Sequence, residues 1–98
     1  MSDPLSLLVQ IDAKSGKADE LKIELLALLA PTRAEEGCNY YHFFTQDDKA
    51  GVFFFVETWA TKANWEAHNE SAHLKVFLDK VDDLVEEFTL TNITEHGA

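Results

Sequence analysis

The sequence is short of cysteine, of basic residues and of long apolar runs, and each shortage removes a class of protein. Cys38 is its single cysteine. No intrachain disulfide can form, whereas a secreted domain this small often relies on several. Eight basic residues face 18 acidic ones, for a formal net charge of -10. Nucleic-acid binding needs clustered Lys or Arg to displace counterions from phosphates, and here the cations are scattered and outnumbered. The same balance disfavours anionic membrane surfaces. No apolar run approaches the roughly 20 residues that cross a bilayer. Met1-Ser2-Asp3-Pro4 carries no positive n-region and no apolar h-region, so no signal peptide is read. These absences predict a cytoplasmic chain with no nucleic-acid or membrane partner.

What is present fits one small domain spanning residues 1–98, a length too short for two. A domain of this size buries about two-thirds of its surface and is modestly stable, which oligomerisation commonly remedies. Leu5 to Ala13 alternates Leu5, Leu7, Val9 and Ile11 with polar positions and reads as a strand with one apolar face. Lys14 to Lys17 is a turn, with Ser15 as the expected helix cap. Lys17 to about Glu35 reads as a helix. Ala18, Leu21, Leu25, Leu28 and Leu29 form its stripe, widened by Ile23, Leu26 and Ala30. Pro31 should kink it or end its regular part, and Gly37 is a plausible stop.

Cys38 to Thr45 and Val52 to Trp59 read as strands joined by a hairpin. The Val-Phe-Phe-Phe-Val core of the second is apolar on both faces, so both need cover. A short helix from Lys62 to about Asn69, capped by Thr61, is interrupted at Asn69-Glu70-Ser71. Ser71 then caps a segment from Ala72 to about Val81, with Leu74, Phe77, Leu78 and Val81 on its core face. Glu86 to Thr94 closes the chain as a strand anchored by Phe88 and Leu90. This order is the α+β, ferredoxin-like βαββαβ pattern: a four-stranded antiparallel sheet with both helices on one face. The bare face carries too many Phe, Val and Leu side chains to stay wet. A second copy of the sheet is its simplest cover.

Among residues able to carry chemistry, Glu57 shares a face with Phe53, Phe55 and Trp59 because strand side chains alternate. A carboxylate among aromatic rings has a raised pKa unless a donor or cation pairs with it. The blander reading is a structural Glu bonded to a nearby Trp, His or backbone N–H. His68 and His73 are five residues apart, so on one unbroken helix they point about 140° apart. The break at Asn69 to Ser71 can let both rings face one cavity, where either could act as a base near neutral pH. On spacing alone, two helix-end histidines with no chemistry account for them more simply. No metal site is expected, since a helical histidine pair wants a spacing of four and a third ligand. Cys38 and Glu57 are the only partners in view, with no recognised ligand spacing behind them. Arg33 beside Glu35 and Glu36 reads as a surface ion pair, and Cys38 as a buried thiol with no basic neighbour to activate it. Trp65, Tyr40, Tyr41, His42 and Phe43 supply aromatic surface, mostly for core packing.

Three strings together resemble a known family. They are Thr32-Arg33-Ala34-Glu35-Glu36-Gly37-Cys38-Asn39-Tyr40-Tyr41, Phe55-Val56-Glu57-Thr58-Trp59, and Glu66-Ala67-His68-Asn69-Glu70-Ser71-Ala72-His73-Leu74-Lys75. They resemble the antibiotic biosynthesis monooxygenase domain family, which includes small quinol monooxygenases, over residues 5 to about 95. The resemblance implies a dimeric α+β barrel, a homodimer packed through its sheet faces, with a pocket between each sheet and its own helices. It implies oxygen addition to an electron-rich aromatic with no flavin, haem, metal or other cofactor. The matching positions are His68, His73 and Glu57 for chemistry, and Trp59, Trp65, Tyr41, Phe55 and Asn39 for the substrate pocket. Haem-degrading relatives place an Asn on the first strand and space their histidine differently, so haem degradation is disfavoured. A related branch isomerises a phosphorylated sugar derivative, but Arg33 is the only arginine available for a phosphate. The expectation is thus a monooxygenase of quinol-like or phenolic aromatics. The alternatives are a proton-transfer isomerase of a small carbonyl compound and a non-catalytic ligand-binding dimer.

Overall fold

The computed structural model describes residues 3–97, so the ends of the expected 1–98 domain, residues 1, 2 and 98, lie outside the described residues. The element order is β1 (Leu5–Ala13), α1 (Ala18–Leu26), α2 (Leu29–Arg33), β2 (Cys38–Thr45), β3 (Val52–Trp59), α3 (Lys62–Asn69), α4 (Ala72–Leu78), α5 (Val81–Leu84) and β4 (Val85–Ile93). The strands form one sheet in the order β2-β3-β1-β4, with every neighbouring pair antiparallel. All the helices lie on one face, which is the ferredoxin-like arrangement.

The sheet's period-2 pattern decides which side chains meet the helices. Leu7, Val9 and Ile11 of β1 and Phe53, Phe55, Glu57 and Trp59 of β3 are buried. They pack with Leu21, Leu25 and Leu28, and with Phe77 and Leu84 from the C-terminal helices. Each fully buried Leu or Phe contributes about 1.5–3 kcal/mol.

The first helical stretch is broken earlier than its apolar pattern predicts. Regular α1 ends at Leu26, and α2 resumes at Leu29 with Pro31 inside it. Proline has no N–H for the carbonyl four residues back, and its ring collides with that carbonyl. For Pro31 that carbonyl belongs to Ala27, and there the helix opens. Leu28 N–H bonds Leu25 at the tighter i−3 spacing instead. Ile23 and Leu26 do not widen the buried stripe. They are 67% and 43% exposed, because Leu21, Leu25 and Leu28 at i, i+4 and i+7 already define the inward face.

Ser15 does not cap α1. The cap position is Lys17 and no side chain caps it, since Gly16 at φ 77° carries the chain through a turn that starts the helix two residues later. Thr61 and Ser71 do cap α3 and α4, accepting from the N–H groups of Asn64 and Leu74. The segment expected to run from Ala72 to Val81 stops at Leu78. Lys80 N–H bonds Phe77 at i−3, and the turn swings Leu84 into the core, where it is 1% exposed. Leu78 is half exposed rather than core.

Candidate functional site

Four elements bring the site together. The turn after α2 runs through Glu35 to Gly37, which adopts φ 80°, a conformation glycine tolerates far better than residues with a Cβ. A Cβ on Gly37 would also meet Asn64 Cγ and Oδ1 at 2.3 Å. Glycine therefore lets this turn lie flat against α3. Arg33 pins the same turn to β2 by donating from Nε to the carbonyl of Tyr41 at 2.9 Å. It forms no ion pair among the described residues.

Glu35 is thereby delivered to the two histidines. Its Oε2 lies 2.6 Å from His68 Nδ1 and 2.8 Å from His73 Nε2. With the carboxylate accepting, His68 donates through Nδ1–H and His73 through Nε2–H. His68 sits in the last turn of α3, 3% exposed, with its ring 4.8 Å from Trp59 and edge-on to Tyr41 at 5.9 Å. His73 follows the Ser71 cap in the first turn of α4, with its ring 6.1 Å from that of His68. The helix break thus turns both rings toward one carboxylate, not toward one cavity as spacing suggested.

The cavity lies between the sheet and its helices and measures about 200 Å³. Its walls are mainly apolar: Leu25, Leu28, Phe55, Trp65, Phe77 and Phe88 among them. The polar groups reaching it are Tyr41, Glu57, His68 and Asn69, and no Lys or Arg lines it. Of the expected pocket residues, Tyr41, Phe55 and Trp65 line this cavity and Trp59 and Asn39 do not. Trp59 is fully buried behind it and donates from Nε1 to Glu57 Oε1 at 2.9 Å. Asn39 is the extra residue of a bulge between Cys38 and Tyr40. The bulge breaks the alternation that would align it with Tyr41, and Asn39 lines a depression with Tyr40, Val56 and Thr58 instead. Tyr40 and His42 are stacked at 4.0 Å and exposed, away from the cavity. His73 borders a separate surface depression with Glu24 and Val76.

Burial governs the electrostatics. Desolvation pushes Glu57 above its ordinary value, while the Trp59 N–H and the nearby His68 oppose the rise. The Tyr41 hydroxyl is held far above its usual range, first by burial and then by Glu57. Burial and then Glu35 raise the half-buried Cys38 thiol, so it is no activated nucleophile.

The residue that sequence spacing missed is Glu35. Its only signal was its place in the Arg33-x-Glu35-x-Gly37-Cys38 string. With His68 and His73 it offers three ligand-type atoms within 4.8 Å of one another, which neither Cys38 nor Glu57 does.

The sequence and the fold are similar to those of known proteins. The family model for antibiotic biosynthesis monooxygenases matches residues 4–80. The chain is 33% identical over 75 residues to the Bacillus subtilis protein named "Putative monooxygenase YcnE", covering 76% of this chain and 79% of that one. It is 28% identical over 83 residues to "Uncharacterized protein sll1783" of Synechocystis sp., covering 85% of this chain but only 56% of that protein. The crystal structure of PA3566 from Pseudomonas aeruginosa superposes with a TM-score of 0.92 at 33% identity, covering 97% and 96% of the two chains. By its strings, its sheet and this match, the chain belongs to the antibiotic biosynthesis monooxygenase family.

Proposed function

We propose that the protein is a cofactor-independent monooxygenase of phenolic or quinol-like aromatics, with His68 as its base. The observation that carries this reading is the division of labour around His68. Glu35 engages Nδ1, which fixes the tautomer and leaves the Nε2 lone pair on a ring that lines an apolar cavity. A bound hydroquinone or naphthol gives its hydroxyl proton to Nε2. The resulting anion reduces O₂ by one electron, and the two radicals combine to form a carbon–oxygen bond. Loss of water, with the base returning its proton, leaves the quinone: one oxygen atom enters the product and the other leaves as water. Burial favours the protonated form of Glu57, which can donate to the substrate's second oxygen.

A proton-transfer isomerase acting on a phosphorylated compound is less well supported, because no cation lines the cavity and Arg33 is spent on the Tyr41 carbonyl. We further propose a homodimer through the bare sheet face, where Tyr40, Phe44 and Ile93 are 40%, 45% and 38% exposed, and a cytoplasmic setting, consistent with a single thiol. No helix among the described residues is long and apolar enough to cross a membrane.

Oxygen uptake measured with a panel of quinols and naphthols tests the activity. The wild-type protein should consume O₂ above the buffer rate with at least one of them, and His68→Ala should not. Uptake at the buffer rate for the whole panel would overturn the proposal.

A further inference from the structure

We propose that Glu35 Oε2, His68 Nδ1 and His73 Nε2 form a binding site for one divalent transition-metal ion of the zinc type, placed beside the cavity and not in it.

The donor set has the right chemistry. Two imidazole nitrogens and one carboxylate oxygen suit Zn²⁺, Co²⁺ or Ni²⁺, whereas Ca²⁺ and Mg²⁺ want oxygen donors throughout. The geometry is close to that of a formed site. The two N···O separations are 2.6 and 2.8 Å. An ion about 2.0–2.2 Å from each ligand needs neighbouring donors roughly 3.0–3.5 Å apart. Seating it lengthens the two N···O pairs by about half an ångström and draws the two nitrogens, which lie within 4.8 Å of each other, in to that same spacing.

Access and charge favour it as well. The side chains of Glu35 and His73 are 16% and 23% exposed, so an ion enters from solvent while His68 closes the inner side. One ligand carboxylate, on a chain of formal net charge -10, favours a cation.

The position sets what the ion does. Glu35 and His73 do not line the cavity, so an ion between them lies behind His68, out of reach of a bound aromatic. It ties the turn after α2 to α3 and α4. It also takes the Nδ1 lone pair, which forces the remaining ring proton onto Nε2 and converts His68 from a base into a donor on the cavity side. Occupancy therefore switches off the proposed oxidation. That consequence rests on the proposed function, but the binding does not.

The test uses the full chain, stripped with chelator and titrated with Co²⁺ or Zn²⁺ without substrate. Calorimetry should find one ion per chain. Affinity should fall by roughly tenfold or more in His73→Ala and in Glu35→Ala, and stay unchanged in His42→Ala, which removes an exposed histidine elsewhere. Ring ¹⁵N spectra should show His68 ligated through Nδ1 and His73 through Nε2 when Zn²⁺ is added. His73→Ala alters a partly exposed side chain, so its fold is checked by circular dichroism, and the wild-type spectra stand whether or not a variant folds. Absence of binding, binding that survives His73→Ala in a folded variant, or spectra in which only one of the two rings responds would overturn the site. Because no turnover is measured, failure of the oxidation leaves this result untouched.

Discussion

Glu35 and His68 are 33 residues apart in the chain, yet the Glu35 carboxylate accepts from His68 Nδ1 at 2.6 Å. That contact orients a buried imidazole whose other nitrogen has no hydrogen-bond partner among the described residues. It makes Glu35 a positioning residue for the proposed base.

Glu35→Gln should therefore lower kcat for oxygen consumption by about tenfold or more while leaving KM within roughly twofold. Gln keeps an acceptor but loses the charge that stabilises the imidazolium formed during proton transfer. His68→Ala should cost more, on the order of 10²-fold. Steady-state oxygen-electrode kinetics on both variants decide it. An unchanged kcat in Glu35→Gln would remove Glu35 from the mechanism.

Glu57 predicts a pH-dependent stability. Its folded pKa is raised above 4.5, chiefly by desolvation, so the native chain holds this proton to higher pH than the unfolded chain does. Across the window from 4.5 up to the raised value, the native state binds more protons, and stability falls as pH rises, then levels off. In Glu57→Gln that contribution is gone. Urea midpoints measured from about pH 4 to pH 8 should show the variant gaining on the wild type as pH increases. Parallel curves would mean that Glu57 is not destabilised by its burial.

Gly37 and Gly16 make a matched pair. Both have positive φ, but a Cβ at Gly16 meets nothing within 4 Å, whereas one at Gly37 collides with Asn64. Gly16→Ala should cost only the left-handed backbone penalty of about 1–2 kcal/mol. Gly37→Ala should cost clearly more and loosen the turn that carries Glu35. Equal losses in denaturant titrations would show that the turn does not depend on its close approach to α3.

The bare sheet face supplies a test of assembly. Val56 faces away from the helices and is half-buried in the isolated chain. In a face-to-face dimer, Val56→Glu would bury an unpaired charge. Light scattering should report a dimer for the wild type and a monomer for the variant, with the circular dichroism spectrum retained. A wild-type monomer at the same concentration would discard the proposed dimer.

Much of the fold was legible in local patterns. The first three strands fall on the residues that alternation in β1 and the aromatic and β-branched runs of β2 and β3 picked out, because such side chains fit a pleated, half-buried surface whatever else surrounds it. Caps at Thr61 and Ser71 were legible too, since an N-terminal hydroxyl answers a need created by the helix alone. The errors came where two demands competed. Pro31 acts four residues upstream at Ala27, Gly16 displaces the cap from Ser15, and the bulge at Asn39 breaks the alternation that would aim it at the cavity.

The chain by itself determined the strand pattern, the helix break between His68 and His73, and the placing of Glu57 on the aromatic face of β3, because all of these follow from periodicity and local hydrogen bonding. Only the tertiary structure decided what the histidines work against. Glu35 stands far from both in sequence, and no spacing rule links a turn after α2 to the ends of α3 and α4. The link exists because the sheet's buried face draws the helices together, and because Gly37 has no side chain to hold the turn away from Asn64.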